Sequence, residues 1–84
     1  ILNLTRYIAN LYGKYGITCN TLSPSGVATD KLSSRFKKRY ASRNALKKMA
    51  KVSDYAGPMI FLCSDASRYM TGANLIVDGG WTAK

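Results

Sequence analysis

The sequence predicts an α/β fold built on parallel strands, as one portion of a doubly wound sheet. Three observations carry this. The chain opens with apolar residues at helical spacing. Two short β-branched runs, residues 17–22 and 74–78, lack clean alternation, as strands covered on both faces do. Between those runs the pattern is helical, so the strands are joined by a crossover, which implies a parallel pair with a right-handed connection. At roughly 30 residues or more per βαβ unit, a doubly wound sheet of six strands does not fit in this length. Residues 1–84 are therefore expected to form one segment of a single larger domain, in the order helix, strand, flap helix, helix, strand.

Ile1, Leu4, Ile8, Leu11 and Tyr15 fall on one face of the first helix, with Asn3, Arg6, Asn10 and Lys14 on the polar side. No capping residue precedes Ile1, so this helix is expected to begin upstream of it. Gly16 suits its C′ position, because glycine enters the left-handed region without a Cβ clash. The first strand follows, bounded by Gly16 and Pro24, and Ser23-Pro24-Ser25-Gly26 reads as a loop. Between Asp30 and Arg43, the spacing of Leu32, Phe36 and Tyr40 gives a thin apolar stripe on a basic helix, expected to lie on the body as a lid.

Ser53 reads as the N-cap of the next helix, with Asp54 in its first turn where a negative charge favours the helix dipole. That helix is nearly all apolar. Ala56, Met59, Ile60 and Cys63 share one face while Tyr55 and Leu62 cover another, which predicts packing on two sides. Pro58 is expected to kink or delay the first turn. The turns at Ser64-Asp65-Ala66-Ser67 and Thr71-Gly72 lead into the second strand, which Gly79-Gly80 closes.

The formal net charge is +9, and nine of the thirteen Lys and Arg lie in residues 31–51, where no acid occurs. Such a run is ordinarily a solvated helix face, but it can also draw in phosphate-bearing ligands or nucleic acid. Cys19 and Cys63 stand far apart and the chain has no His, which excludes a zinc set and leaves two free thiols expected in the core. No apolar run approaches the roughly 18 residues needed to cross a bilayer, and the start has no signal-peptide pattern. The setting expected from this is cytoplasmic, without membrane partners.

Two stretches together resemble the short-chain dehydrogenase/reductase family. Asn20 to Thr29, with Pro24-Ser25-Gly26-Val27-Ala28-Thr29, is similar to the family's N-x-x-x-P-G-x-[VI]-x-T. Phe61-Leu62-Cys63-Ser64-Asp65-Ala66-Ser67 and Met70-Thr71-Gly72 through Val77-Asp78-Gly79-Gly80 are similar to F-L-x-S-D-x-S and I-T-G-x-x-[IL]-x-V-D-G-G. Both occur in family order and cover essentially the whole chain. The resemblance implies the C-terminal portion of a Rossmann-type sheet. It also implies an NAD- or NADP-dependent hydride transfer to or from a carbonyl or alcohol substrate, and a homo-oligomer, dimer or tetramer.

By the same resemblance, Pro24, Ser25, Gly26, Val27 and Thr29 form the nicotinamide side of the cofactor site at the carboxyl end of the sheet. Thr29 has a second reading as the N-cap of the basic segment. Ser25 stands where the family usually has Gly; strain is expected there if positive φ is needed, with Gly26 able to take over the turn. The family's acid/base pair is a Tyr with a Lys four positions on. Here Tyr7, Tyr12, Tyr15, Tyr40, Tyr55 and Tyr69 are followed at that distance by Leu11, Gly16, Cys19, Asn44, Met59 and Ala73. No catalytic residue is assigned within the chain; Ser, Tyr and Lys are expected upstream of Ile1, and these residues alone are expected to be inactive.

Lys38-Arg39-Tyr40, Val52-Ser53-Asp54-Tyr55 and Tyr69 to Asn74 resemble bacterial oxidoreductases associated with surface-sugar and flagellin modification. A basic flap carrying Lys37, Lys38 and Arg39 would suit an anionic or sugar-linked substrate by charge. The competing reading makes residues 31–51 a nucleic-acid-binding module. It accounts for the charge but not for the strands, the Pro24 loop or the Asp78-Gly79-Gly80 tail.

Overall fold

A computed structural model describes residues 1–83. The chain forms α1 (Leu2–Tyr12), a 3₁₀ turn (Gly13–Tyr15), β1 (Thr21–Pro24), α2 (Ser34–Ser42), a second 3₁₀ turn (Val52–Tyr55), α3 (Ala56–Cys63), a third (Asp65–Ser67) and β2 (Asn74–Val77). The two strands pair in parallel, with Thr21 opposite Asn74 and Pro24 opposite Val77. This is the predicted α/β arrangement, with α2 and α3 in the crossover.

The first helix stops where expected, since Gly16 adopts φ 76° after one tightened turn. The side that packs differs from the expectation. Thr5 and Ala9 are the buried residues of α1, whereas Ile1, Leu4 and Tyr15 of the apolar stripe stay exposed. Small residues let the helix approach closely: the Thr5 hydroxyl lies 2.5 Å from that of Thr21, and a Cβ on Gly72 would sit 3.6 Å from Ala9 Cβ. Periodicity locates an apolar stripe, but the elements present in this chain meet the neighbouring face.

Residues 17–20 were expected in the first strand, yet the ladder starts only at Thr21. One backbone bond and three that involve a side chain replace it just upstream. The Cys19 N–H donates to Thr71 Oγ1 (3.1 Å), and the Cys19 carbonyl accepts from Gly72 N–H (2.7 Å). Asn20 donates through Nδ2 to the Met70 carbonyl and accepts at Oδ1 from Ala73 N–H, each at 3.1 Å. Pro24, which has no N–H to give a ladder, takes the strand's last position.

The flap helix is shorter than predicted, and Ser33 is its cap, accepting from Phe36 N–H at 3.1 Å. Thr29 therefore does not cap it; its carbonyl instead accepts from Leu32 N–H in the turn before the helix. Ser53 is likewise no cap. The Asp54 carboxylate accepts from Lys51 N–H (2.8 Å), so the acid placed in the first turn does the capping itself. Pro58 occupies the third position of α3, where its missing N–H leaves no intrahelical bond unmade. The 3₁₀ turn before Ala56 is the expected delay.

Tyr55, at the end of the 3₁₀ turn, and Pro58 and Leu62 of α3 are half-buried, while Met59, Ile60 and Cys63 are exposed, so one of the two predicted faces is covered. Cys19 is half-buried and Cys63 exposed, which corrects the expectation of core thiols. Among the described residues only Thr5, Ala9, Asn44 and Ser67 are buried. A two-stranded sheet leaves the outer faces of its helices without a layer to pack on, and their apolar surface is what a larger sheet would cover.

Candidate functional site

The loop that leaves β1 is held by its backbone. The Ser25 N–H donates to the Tyr55 hydroxyl (3.3 Å), the Gly26 N–H to the Tyr40 hydroxyl (2.7 Å), and the Ala28 N–H to the Ala50 carbonyl (2.8 Å). Val27 and Ala50 also form an isolated parallel bridge. Three of the loop's amides are thus engaged by other elements. The Val27 N–H and the Thr29 hydroxyl have no hydrogen-bond partner among the described residues, and Thr29 is exposed. All five residues singled out, Pro24, Ser25, Gly26, Val27 and Thr29, lie together at the carboxyl end of β1.

The expected strain at Ser25 is absent. Among the described residues Lys47 is the one non-glycine with positive φ, and Gly26 is not among the glycines that have it. Glycine serves a different purpose at 26: an added Cβ would lie 2.7 Å from Tyr40 Cζ and 2.9 Å from its hydroxyl oxygen. It permits the close approach that the 2.7 Å hydrogen bond requires.

Tyr40 also stacks on Trp81, with ring centroids 4.5 Å apart and planes at 19°. Phe36 lies one turn earlier, at 6.2 Å. Together with Arg39 and Arg43 these rings line a cavity of about 210 Å³. A second cavity, of about 370 Å³, shares Tyr40 and Trp81 and reaches Ser23, Pro24 and Ser25. Of the basic run, the residues turned to the site are Arg39 and Arg43; Lys37 and Lys38 do not line either cavity.

Asp78 shapes the tail. Its carboxylate accepts from the Thr82 hydroxyl (2.6 Å), the Thr82 N–H (3.0 Å) and the Gly80 N–H (2.9 Å), and the Thr82 hydroxyl bond leads in holding its pKa below the ordinary 3.8. Gly79 and Gly80 carry φ 64° and 89°, and the Gly79 carbonyl accepts from Leu46 N–H at 3.0 Å. The turn sets Trp81 against Tyr40. Ser64 and Ser67 are structural: the Ser67 hydroxyl donates to the carbonyls of Leu62 and Ser64, both at 3.1 Å, closing the end of α3. In the sequence Tyr40 and Tyr55 fall at packing positions of their helical patterns, and Trp81 belongs to no pattern. The available signal was a polar tip on each ring, which seeks a partner when half-buried.

A family profile described as Enoyl-(Acyl carrier protein) reductase matches residues 1–82. L-rhamnose 1-dehydrogenase (NAD(P)(+)) of Azotobacter vinelandii is 45% identical over 95% of this chain, and 7alpha-hydroxysteroid dehydrogenase of Bacteroides fragilis is 35% identical over 98%. In each case the match covers 33% of the relative, so the chain spans about a third of their length. A short chain dehydrogenase from Leptospira borgpetersenii, solved with bound NAD+, superposes with a TM-score of 0.91 at 40% identity, covering 98% of this chain and 32% of that one. A blue fluorescent protein from a metagenomic library, in complex with NADPH, gives 0.85 at 36% identity, covering 95% and 33%. With the profile spanning almost every residue and the parallel strands and loop in place, the chain belongs to the short-chain dehydrogenase/reductase family, whose Rossmann-type fold it shares.

Proposed function

We propose that this chain is the C-terminal third of an NAD- or NADP-dependent oxidoreductase that moves a hydride between the nicotinamide and a carbonyl or alcohol substrate. The observation that carries the reading is the pattern of donors in the loop. Ser25, Gly26 and Ala28 give their amides to other elements, while the Val27 N–H and the Thr29 hydroxyl are left between and beyond them. A carboxamide offers one acceptor oxygen and an NH₂, and an amide N–H with a hydroxyl complements both. The residues present therefore fit the nicotinamide end of the cofactor. When bound, it supplies or accepts the hydride; Pro24 and Gly26 shape the wall against it, and Val27 and Thr29 orient its carboxamide.

The relatives are dehydrogenases acting on a sugar and a hydroxysteroid, which supports an alcohol or carbonyl substrate. Arg39 and Arg43, one turn apart on the aromatic-lined cavity, favour a substrate carrying a negative charge. In this reading α2 is the flap over that substrate, the proton-transfer residues lie outside residues 1–84, and the protein works as a homo-oligomer in the cytoplasm. Among the described residues no helix is long and apolar enough to cross a membrane. Nucleic-acid binding by residues 31–51 rests on charge alone.

Titration of the full-length protein with NADH and NADPH tests the first claim. Thr29→Ala should weaken the favoured cofactor roughly two- to tenfold, the worth of one hydrogen bond. Arg39→Gln with Arg43→Gln should raise KM for a phosphorylated or carboxylated sugar far more than for its neutral counterpart. Unchanged cofactor affinity in Thr29→Ala would remove Thr29 from the site, and equal KM changes would remove the anionic substrate.

A further inference from the structure

We propose that Tyr40 is a positioning residue that latches the flap helix to the cofactor loop, so that flap closure and nicotinamide placement are one event. The inference rests on the reading of residues 24–29 as the nicotinamide side of the site. Three elements meet at this ring. Its hydroxyl takes the Gly26 N–H at 2.7 Å, its face stacks on Trp81 of the tail at 4.5 Å, and its backbone belongs to α2.

Gly26 immediately precedes Val27, whose N–H is one of the two donors left for the carboxamide. The two amides are joined by the φ and ψ of Gly26, and with the Gly26 N–H held by Tyr40 and the Ala28 N–H held by Ala50 the peptide between them is anchored from both sides, so releasing the Gly26 anchor frees the Val27 N–H to reorient. The absence of a side chain at 26 is part of the same device, because a Cβ there would lie 2.7 Å from Tyr40 Cζ. Trp81 stacks on the face of the ring, with centroids 4.5 Å apart and planes at 19°, which holds it in place. The substrate-side cavity lined by Arg39 and Arg43 shares this ring with the loop, so displacing α2 moves the loop's anchor with it.

The test uses the full-length protein and Tyr40→Phe, which keeps the stacked ring and removes only the hydroxyl. NADH binding is compared with that of ADP-ribose, which lacks the nicotinamide ring, and hydrogen exchange is followed at Gly26. The latch predicts roughly two- to tenfold weaker NADH binding with ADP-ribose unchanged, and faster exchange at the Gly26 amide. Gly26→Ala should reproduce the NADH loss, and the double variant should lose less than the two single losses combined, since both break one contact.

Equal weakening of both ligands would mark a merely structural role and overturn the proposal, as would unchanged NADH affinity or additive effects. A parent protein that gains nothing from the nicotinamide ring would refute the reading of the loop itself. The Gly26 exchange rate would still decide whether the latch exists.

Discussion

Replacing Gly80 by Ala should destabilise the full-length protein by about 2–5 kcal/mol, from two separable costs. Gly80 sits at φ 89°, where a residue with a Cβ loses about 1–2 kcal/mol relative to glycine. The added Cβ would also lie 2.5 Å from Ala45 Cβ, and relieving such an overlap in packed structure costs about 1–3 kcal/mol. Retreat is restricted because Leu46 is bonded to the Gly79 carbonyl and the neighbouring Asn44 is 2% exposed. Urea unfolding read by Trp81 fluorescence measures the change. Gly13→Ala is the control: Gly13 has φ −56° and nothing within 4 Å of the added methyl, so it should be neutral or gain up to about 1 kcal/mol. If the two variants unfold within about 0.5 kcal/mol of each other, the packing of the tail on residues 44–46 is not as described.

Three further outcomes follow from the same geometry. Ser33→Ala should cost about 0.5–2 kcal/mol and speed amide exchange at the start of α2; unchanged exchange would remove Ser33 as the cap. Ser25→Gly should destabilise by about 0.4–1 kcal/mol, because serine holds its backbone here without strain and glycine adds freedom to the unfolded chain; a stabilised variant in thermal melts would mean that strain exists after all. Asp78 has a folded pKa below its ordinary 3.8, so its contribution is fully present above that value and is lost as pH falls through the folded one. Trp81 fluorescence should therefore report loosening of the tail below pH 3.8, and Asp78→Asn should remove that acid step while leaving the signal near neutrality insensitive to pH.

Element order, parallel pairing and the left-handed Gly16 were legible because each follows from local pattern: apolar spacing, β-branched runs and the special freedom of glycine. The clustering of Pro24 to Thr29 came from the family resemblance, and the structure keeps those residues together. Other features depended on partners distant in sequence. Thr29 and Ser33 are both acceptable caps by composition, and the path of residues 30–33 decides for Ser33. The stripe of Ile1, Leu4 and Tyr15 is plain in the sequence, but its periodicity does not say that Thr5 and Ala9 are the contact face. Tyr40 and Tyr55 have the spacing of packing residues, and only tertiary placement shows their hydroxyls holding the loop.

The Asn20 clip has a kinetic side. Its bonds to Met70 and Ala73, like the Cys19–Thr71 bond beside them, span 50 to 53 positions. No short-range hairpin helps to bring β1 and β2 together, so the entropy of closing a long loop must be met before any ladder bond forms. Asn20 offers two bonds at the point where the strands first come level, which makes it a natural nucleus for zipping them. An Asn20→Ala protein should then refold more slowly while unfolding at nearly the native rate, a φ-value near one at a residue that touches neither cavity.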